Sequence, residues 1–166
     1  MARARHRPAH GNGFLPGLRA EPPSQGTMIP TDRPPWPEGG FMRATFIVFI
    51  GSGLGGALRH LVGLVALRLL GPAFPYGTLA INVAGSALMG LVVGLFAAGT
   101  LAGHDLRLLL TTGILGGFTT WSTFTLDITT LWERGQPLAA IGYVATSLIL
   151  SLAMIALMLL LARRWV

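Results

Sequence analysis

Residues 113–124 read GILGGFTTWSTF, in the middle of a predominantly apolar segment that runs from about Leu106 to Leu131. Two adjacent glycines followed by two threonines, at the depth of a membrane, favour a helix that breaks and then resumes. The carbonyls freed at such a break must be satisfied by protein, water or a cation, and broken helices build ion sites in many transporters for this reason. The stretch therefore predicts a broken helix with a possible ion site.

The composition of the chain supports a location in the membrane. Of its 166 residues, 52% are hydrophobic and only 11% are charged, and the mean hydropathy is +0.63. A soluble domain carries about 25% charged residues. Crossing the hydrocarbon takes about 20 apolar residues per helix, and the chain offers four such stretches. We therefore expect an all-α integral membrane protein with four transmembrane helices, of which the third is broken.

The helices are predicted over approximately residues 44–70, 76–98, 106–131 and 137–161. The first ends before Gly71-Pro72, and the fourth begins at Pro137, a residue well suited to a helix start. Arg163, Arg164 and Trp165 then supply an interfacial anchor. The connections are short, so successive helices are expected to be antiparallel neighbours.

The N-terminal residues 1–41 form a separate region, followed by a membrane domain over 42–166. The region contains eight of the eleven prolines and shows no apolar periodicity, so we expect a disordered tail. A second interpretation stays open, in which Met42 is the true start. The five tail arginines would turn a bias of four against two between the loop faces into nine against two, which favours one orientation. The functional protein is therefore expected to start at or near Met42.

Charge and cysteine content exclude several classes of function. The chain has no cysteine, so disulfides and thiolate chemistry are excluded. All twelve basic residues are arginine, and the net charge is +6. Because five of these arginines lie in the tail and no basic stripe with interleaved aromatics occurs elsewhere, no nucleic-acid partner is expected.

Small and polar residues follow one face of the first two helices. The first helix places Gly51, Gly55, Arg59 and Gly63 at four-residue spacing, and such small residues let helices approach closely in lipid. An arginine in a membrane marks a pathway or a partner, unless it snorkels to the interface. The second helix carries a similar stripe, in which the amide of Asn82 serves either an ion or interhelical packing. Its members are Thr78, Asn82, Ser86, Gly90, Gly94 and Ala98.

Hydrogen-bond donors dominate the polar residues after the break and in the fourth helix. Trp121 and Phe124 share one face, with hydroxyls at Ser122, Thr123 and Thr125. The fourth helix carries Tyr143, Ser147 and Ser151 at four-residue spacing, although serines in membrane helices also bond their own backbone. Between Ala44 and Leu161 the only acids are Asp105, Asp127 and Glu133. Donors without carboxylates suit an anion, and aromatic ring edges are positive.

Three motifs resemble those of the Fluc (CrcB) fluoride channel family. The run GGFTTWSTF at residues 116–124 closely resembles the family signature. GGALRH at 55–60 is similar to its first-helix motif, and GTLAIN at 77–82, followed by Gly85, is similar to its second-helix motif. Their order and spacing also match, and the resemblance covers residues 42–166. It implies a passive, fluoride-selective channel in the inner (plasma) membrane that exports fluoride and relieves its toxicity. It also implies an antiparallel, dual-topology homodimer in the lipid bilayer with two fluoride pathways.

The resemblance assigns roles to particular residues. The backbone carbonyls of Gly116 and Thr119 would hold a structural Na⁺ at the dimer centre. Trp121 and Phe124 would occupy the family's phenylalanine box, whose ring edges contact fluoride, and Arg59 would lie at a vestibule. The polar track would consist of Asn82, Ser122, Thr123, Tyr143, Ser147 and Ser151. The chain departs from the family pattern at Trp121, usually phenylalanine, and at His60, usually tyrosine. Tryptophan keeps a positive edge and adds an N–H donor, so we expect permeation to persist.

Other functions fit the residues less well. Small multidrug transporters also have four helices, but they resemble one another in carrying a glutamate in the first helix. The first helix of this chain has no acid. A structural membrane subunit without transport would differ from a channel in liposome efflux. An enzyme is not expected, because neither His60 nor His104 has a neighbour arranged as a nucleophile-base pair.

Overall fold

The computed structural model describes residues 40–164, and within that range every regular element is a helix. The predicted tail and Trp165 lie outside the described residues, except that Gly40 and Phe41 belong to the first helix rather than to the tail. The elements are α1 (Gly40–Leu70), α2 (Tyr76–Ala97), α3 (His104–Leu108), a π-helix (Leu109–Leu115), α4 (Gly116–Phe118), α5 (Trp121–Glu133) and α6 (Pro137–Arg164).

Three of these helices, α1, α2 and α6, are long and apolar enough to cross a membrane among the residues described. They match the first, second and fourth predicted helices. α1 starts four residues earlier than predicted, at Gly40 instead of Ala44, and α6 ends three residues later, at Arg164 instead of Leu161. A crossing by the third segment stays a prediction.

The third segment changes its backbone conformation at the threonines and not at the glycines. Gly116 has helical angles (φ −64°, ψ −37°), and α4 continues to Phe118. Thr119 (φ −76°, ψ 159°) and Thr120 (φ −150°, ψ 121°) are extended before α5 begins. We predicted an interruption over Gly116, Gly117 and the threonines that follow. The extended residues are the threonines, whereas both glycines stay in α4, because helical φ and ψ angles are open to glycine as to other residues.

The small-residue stripes pack helices of the same chain against one another. A Cβ atom at Gly51 would lie 2.7 Å from the Cα of Gly113, so this position brings α1 against the π-helix. A Cβ atom at Gly90 would overlap the carbonyl of Ile155, so α2 lies directly against α6. Helices that follow each other in the chain are in contact, as the short connections predicted, and the main partner of α2 is α6. Gly51 and Gly90 thus mediate helix packing within a single chain.

Two polar contacts show which ends of the helices lie together. At one end, Arg43 in α1 forms an ion pair with Asp105 in α3. At the other end, Arg134 Nη1 donates a 3.1 Å hydrogen bond to the carbonyl of Pro72, in the loop between α1 and α2. The start of α1 therefore lies beside α3, and the end of α5 lies beside the end of α1.

Candidate functional site

The interruption after α4 is held by the side chain of Asn82 in α2. Its amide nitrogen donates to the Thr120 carbonyl at 3.0 Å, and the Thr120 N–H donates to its amide oxygen at 2.9 Å. Both backbone groups of this extended residue are therefore satisfied by one side chain, as buried backbone groups require. Asn82 thus links α2 to the third segment by hydrogen bonds, and it also lies beside the cavity described next.

Thr120 also starts α5, because its hydroxyl caps the new helix. The Thr123 N–H donates to Thr120 Oγ1 at 3.2 Å, and Thr120 Oγ1 donates to Thr123 Oγ1 at 3.0 Å. Side-chain oxygens at this position satisfy a backbone N–H that has no partner inside the helix. The sequence signal for this role was Thr120 itself, the threonine directly before Trp121, which we had assigned only to the interruption.

A cavity of about 310 Å³ lies between α2, α5 and α6, next to the interruption. Five of the predicted pathway residues line it, and its polar lining consists of amide and hydroxyl groups. The five are Asn82, Trp121, Phe124, Ser147 and Ser151. Residues separated by up to 69 positions in the sequence are thus brought together where the donor-rich track was predicted.

Ser147 carries the most unusual polar group of this cavity. The residue is only 4% exposed. Among the described residues, its Oγ is the one fully buried side-chain nitrogen or oxygen without a hydrogen-bond partner. Leaving such a group unpaired costs about 1–3 kcal/mol. Ser147 thus lines the cavity as a residue, while its hydroxyl oxygen is itself fully buried.

Aromatic rings form a continuous packed series beside the cavity. The Trp121 and Phe124 ring centroids are 5.1 Å apart at an interplanar angle of 44°, and Phe124 and Tyr143 are 5.1 Å apart at 49°. Phe124 is 4% exposed and Tyr143 is fully buried, whereas Trp121 is 69% exposed. The predicted aromatic pair is therefore in contact, with one ring inside the chain and the other at its surface.

A second cavity, of about 650 Å³, is lined by Ser122 and Thr123 of the predicted track and by Arg59 of the predicted vestibule. It is lined by polar and charged groups that include Arg59, His60, Thr120, Ser122, Thr123, Asp127 and Arg134. Thr120 lines both cavities, so both lie beside the interruption. Tyr143, the last predicted track residue, lines neither cavity; its hydroxyl donates to Asp127 at 3.2 Å.

Asp127 is a site residue to which the sequence assigned no specific role. Asp127 was evident only as an acid near the end of the third segment. Its partner Tyr143 lies 16 residues away on another helix, so no local spacing could have revealed the pair.

The two carbonyls predicted to hold Na⁺ differ in their surroundings. In a continuous helix the Thr120 N–H would donate to the Gly116 carbonyl, but here it donates to Asn82. The Gly116 carbonyl thus loses its usual partner and has the chemistry that suits a dehydrated monovalent cation. Arg59 Nη1 lies 3.5 Å from the Thr119 carbonyl, and its positive charge opposes a cation at that oxygen. Gly116 fits the predicted role better than Thr119 does.

The fold and the site define a small helical membrane protein with a donor-rich, aromatic-lined cavity at a helix interruption. Residues 46–159 match the family model described as CrcB-like protein, Camphor Resistance (CrcB). The chain therefore belongs to the CrcB family, and it is a multi-pass membrane protein.

Several curated relatives carry the name fluoride-specific ion channel FluC. The one from Mesorhizobium japonicum is 48% identical over 117 residues, which cover 70% of this chain and 94% of the relative. The one from Rhizobium etli (strain CIAT 652) is 51% identical over 112 residues, with 68% and 90% covered. The one from Methylobacterium nodulans is 54% identical over 112 residues, with the same coverage.

Proposed function

We propose that this chain is a fluoride-specific passive ion channel of the bacterial plasma membrane, and not an enzyme. The observation that carries the proposal is a cavity that no charged side chain of the described residues lines, and whose walls carry the Phe124 ring, the Asn82 amide and two serines, Ser147 and Ser151. A small anion that leaves water needs donors to replace its hydration, and buried hydroxyls and positive ring edges supply them. The relatives named fluoride-specific ion channel support fluoride as the anion.

The charges around the two cavities favour passive conduction of an anion. No charged side chain among the described residues lines the smaller cavity, so an anion there meets no carboxylate. The one carboxylate of the larger cavity, Asp127, accepts a hydrogen bond from Tyr143 and shares that cavity with Arg59. Cationic groups at an entrance raise the local concentration of anions.

Efflux from proteoliposomes tests this function directly. Purified protein is reconstituted with internal fluoride or chloride, and release is followed with an ion-selective electrode after valinomycin carries the balancing K⁺. We expect rapid fluoride release, no chloride release and no need for a proton gradient. Equal release of both halides, or release that requires a proton gradient, would refute the proposal. In cells, expression should restore growth of a fluoride-sensitive bacterium in medium that contains fluoride.

A second copy of the chain is proposed to complete the pathway. Trp121 is 69% exposed although its neighbour Phe124 is buried, so one wall of the aromatic pair is open at the surface of a single chain. Lipid tails cannot replace the hydration of an ion, which favours a protein surface over Trp121. The chain has no lysine, so amine cross-linkers are unsuitable. Native mass spectrometry should give a dimer, and a monomer that conducts would contradict the proposal.

The two copies are proposed to lie antiparallel. The arginines at the helix ends are weakly biased, four against two. The end that carries the Arg43–Asp105 ion pair has Arg43, Arg107, Arg163 and Arg164, and the other end has Arg68 and Arg134. A weak bias permits both orientations. The chain has no cysteine, so Thr100→Cys and Gln136→Cys each give a single thiol at opposite ends. A membrane-impermeant maleimide should label about half of each; complete labelling of one and none of the other would indicate a single orientation.

The third segment is proposed to cross the membrane and to hold Na⁺ with the carbonyls of Gly116 and Thr119. The support is the Gly116 carbonyl, whose helical donor is diverted to Asn82. A ligand that binds only the folded state raises its stability. Purified protein should therefore unfold at a higher temperature in Na⁺ than in N-methylglucamine, and no ²²Na⁺ should cross liposomes with fluoride. Equal unfolding temperatures in both salts would argue against the site, and coupled ²²Na⁺ flux would argue against a structural ion.

A further inference from the structure

The loop between α1 and α2 carries an aromatic ring that contacts the pathway, although nothing in the sequence pattern pointed to it. Phe74 is half-buried and lies against Tyr143, with ring centroids 5.5 Å apart at an interplanar angle of 85°. Edge-to-face packing of this kind is a preferred arrangement of two rings. A surface loop thus touches a fully buried ring of the predicted track.

The same contact continues to the ring that lines the smaller cavity. Tyr143 packs against Phe74 on one side and against Phe124 on the other, and its hydroxyl is bonded to Asp127. Phe124 then contacts Trp121. The ring of Tyr143 is therefore fixed at three points, and Phe74 supplies the one that comes from outside the α5–α6 pair.

The loop itself is held in place at both of its ends. Gly71 (φ +74°) turns the chain after α1, and the Tyr76 N–H donates to the Phe74 carbonyl at 2.9 Å. Between them, the Pro72 carbonyl accepts the 3.1 Å hydrogen bond from Arg134. Arg134 follows α5, the helix that carries Phe124. The end of α5 is thereby tied to the loop whose ring supports Tyr143.

We infer that Phe74 is a positioning residue of the pathway, and that Arg134 holds Phe74 in place through the loop. Phe74 does not contact the ion; it fixes Tyr143, which in turn fixes the orientation of the Phe124 ring toward the cavity. The inference rests on the proposed fluoride conduction. It adds Phe74, a residue that does not line the smaller cavity, as one whose ring sets the rate of conduction.

The test compares Phe74→Leu, which keeps apolar volume without a ring, with Phe74→Tyr, which keeps the ring. Phe49→Leu is the matched control, because it makes the same change in a ring that is 72% exposed and lines neither cavity. Fluoride efflux is measured at low protein density, where most liposomes hold at most one channel. The fraction of liposomes that release fluoride then measures the amount of folded channel, and the release rate measures conduction per channel. We expect Phe74→Leu to lower the rate per channel by about two- to tenfold, the range of an aromatic pair. Phe74→Tyr and Phe49→Leu should conduct close to wild type, and the emptied fraction should not change.

A double substitution separates positioning from an effect on entry. Arg134→Gln should lower the rate, and Arg134→Gln with Phe74→Leu should be no slower than Phe74→Leu alone, because both act through one contact. If the double variant instead slows efflux by the product of the two separate factors, the role assigned to Arg134 is overturned. A wild-type rate for Phe74→Leu, or a loss that appears only in the emptied fraction, would overturn the role of Phe74. Wild-type protein that releases no fluoride would instead overturn the proposed function, and this inference with it.

Discussion

Replacing Asn82 with aspartate should separate the two tasks of this residue. In the wild type, its amide oxygen accepts from the Thr120 N–H at 2.9 Å and its amide nitrogen donates to the Thr120 carbonyl at 3.0 Å. A carboxylate of the same shape keeps the first bond and loses the second. It also places a negative charge at the wall of the smaller cavity, which the wild type lines without charge.

The two effects differ in size. Leaving the Thr120 carbonyl unpaired costs about 1–3 kcal/mol of stability. A carboxylate about 4 Å from an anion opposes it by roughly 4 kcal/mol at an effective dielectric constant of about 20, which corresponds to a roughly thousandfold lower rate. Asn82→Ala has the reverse balance, because it removes both hydrogen bonds and adds no charge. Asn82→Asp should therefore be the more stable variant and the poorer conductor of the two.

The assay is fluoride efflux per channel together with thermal unfolding of the purified variants. We expect unfolding temperatures in the order wild type, Asn82→Asp, Asn82→Ala, and rates in the order wild type, Asn82→Ala, Asn82→Asp. Both orders are read on the same preparations, so a loss of folded protein cannot imitate a loss of conduction. Conduction by Asn82→Asp near the wild-type rate would refute the placement of Asn82 on the pathway.

Other substitutions test the cavity and the packing around it. Ser147→Ala removes a hydroxyl without a protein partner, so fluoride efflux should fall while the unfolding temperature holds or rises; a clear loss of stability would contradict this. Phe124→Ile should cut efflux because it removes the ring edge, whereas Trp121→Phe should be tolerated; wild-type efflux from Phe124→Ile would exclude that ring from the pathway. Gly55→Ala would place a Cβ 2.8 Å from the backbone nitrogen of Phe118 and should cost about 1–3 kcal/mol in unfolding experiments. Gly53→Ala, where the Cβ meets no described atom within 4 Å, is its control and should be nearly neutral.

The long apolar helices could be predicted from the sequence because their signals are local. The turn at Gly71-Pro72 and the proline at 137 gave the end of α1 and the start of α6 as the structure has them. The start of α1 was less accurate, because Gly40 and Phe41 continue the helix beyond the apolar run that we used to define it. Hydropathy locates the part of a helix that lies in lipid, and helices extend beyond that part.

The position of the interruption depended on a contact that sequence spacing does not show. Glycine pairs and threonine pairs both disfavour a helix, and the sequence offers them side by side. The extended conformation falls on Thr120, where Asn82, 38 residues earlier, replaces both helical hydrogen bonds. Choosing between the pairs required knowledge of which side chain of α2 lies opposite.

The candidate site was predicted as a set of residues but not as two cavities. Asn82, Phe124, Ser147 and Ser151 share the smaller cavity as the donor pattern suggested. Ser122 and Thr123 are adjacent in sequence to Trp121, yet they line the larger cavity. Consecutive residues of a helix point about 100° apart, so neighbours in the motif lie on different sides of α5.

The pairing of α2 with α6 has a consequence for how the protein is made. The second helix meets its main partner only when the last helix of the chain has been synthesised. Until then the glycine face of α2 faces lipid, and the smaller cavity lacks the wall that carries Ser147 and Ser151. The smaller cavity is therefore the last part of the fold to be completed, because it forms only after the final helix has been inserted.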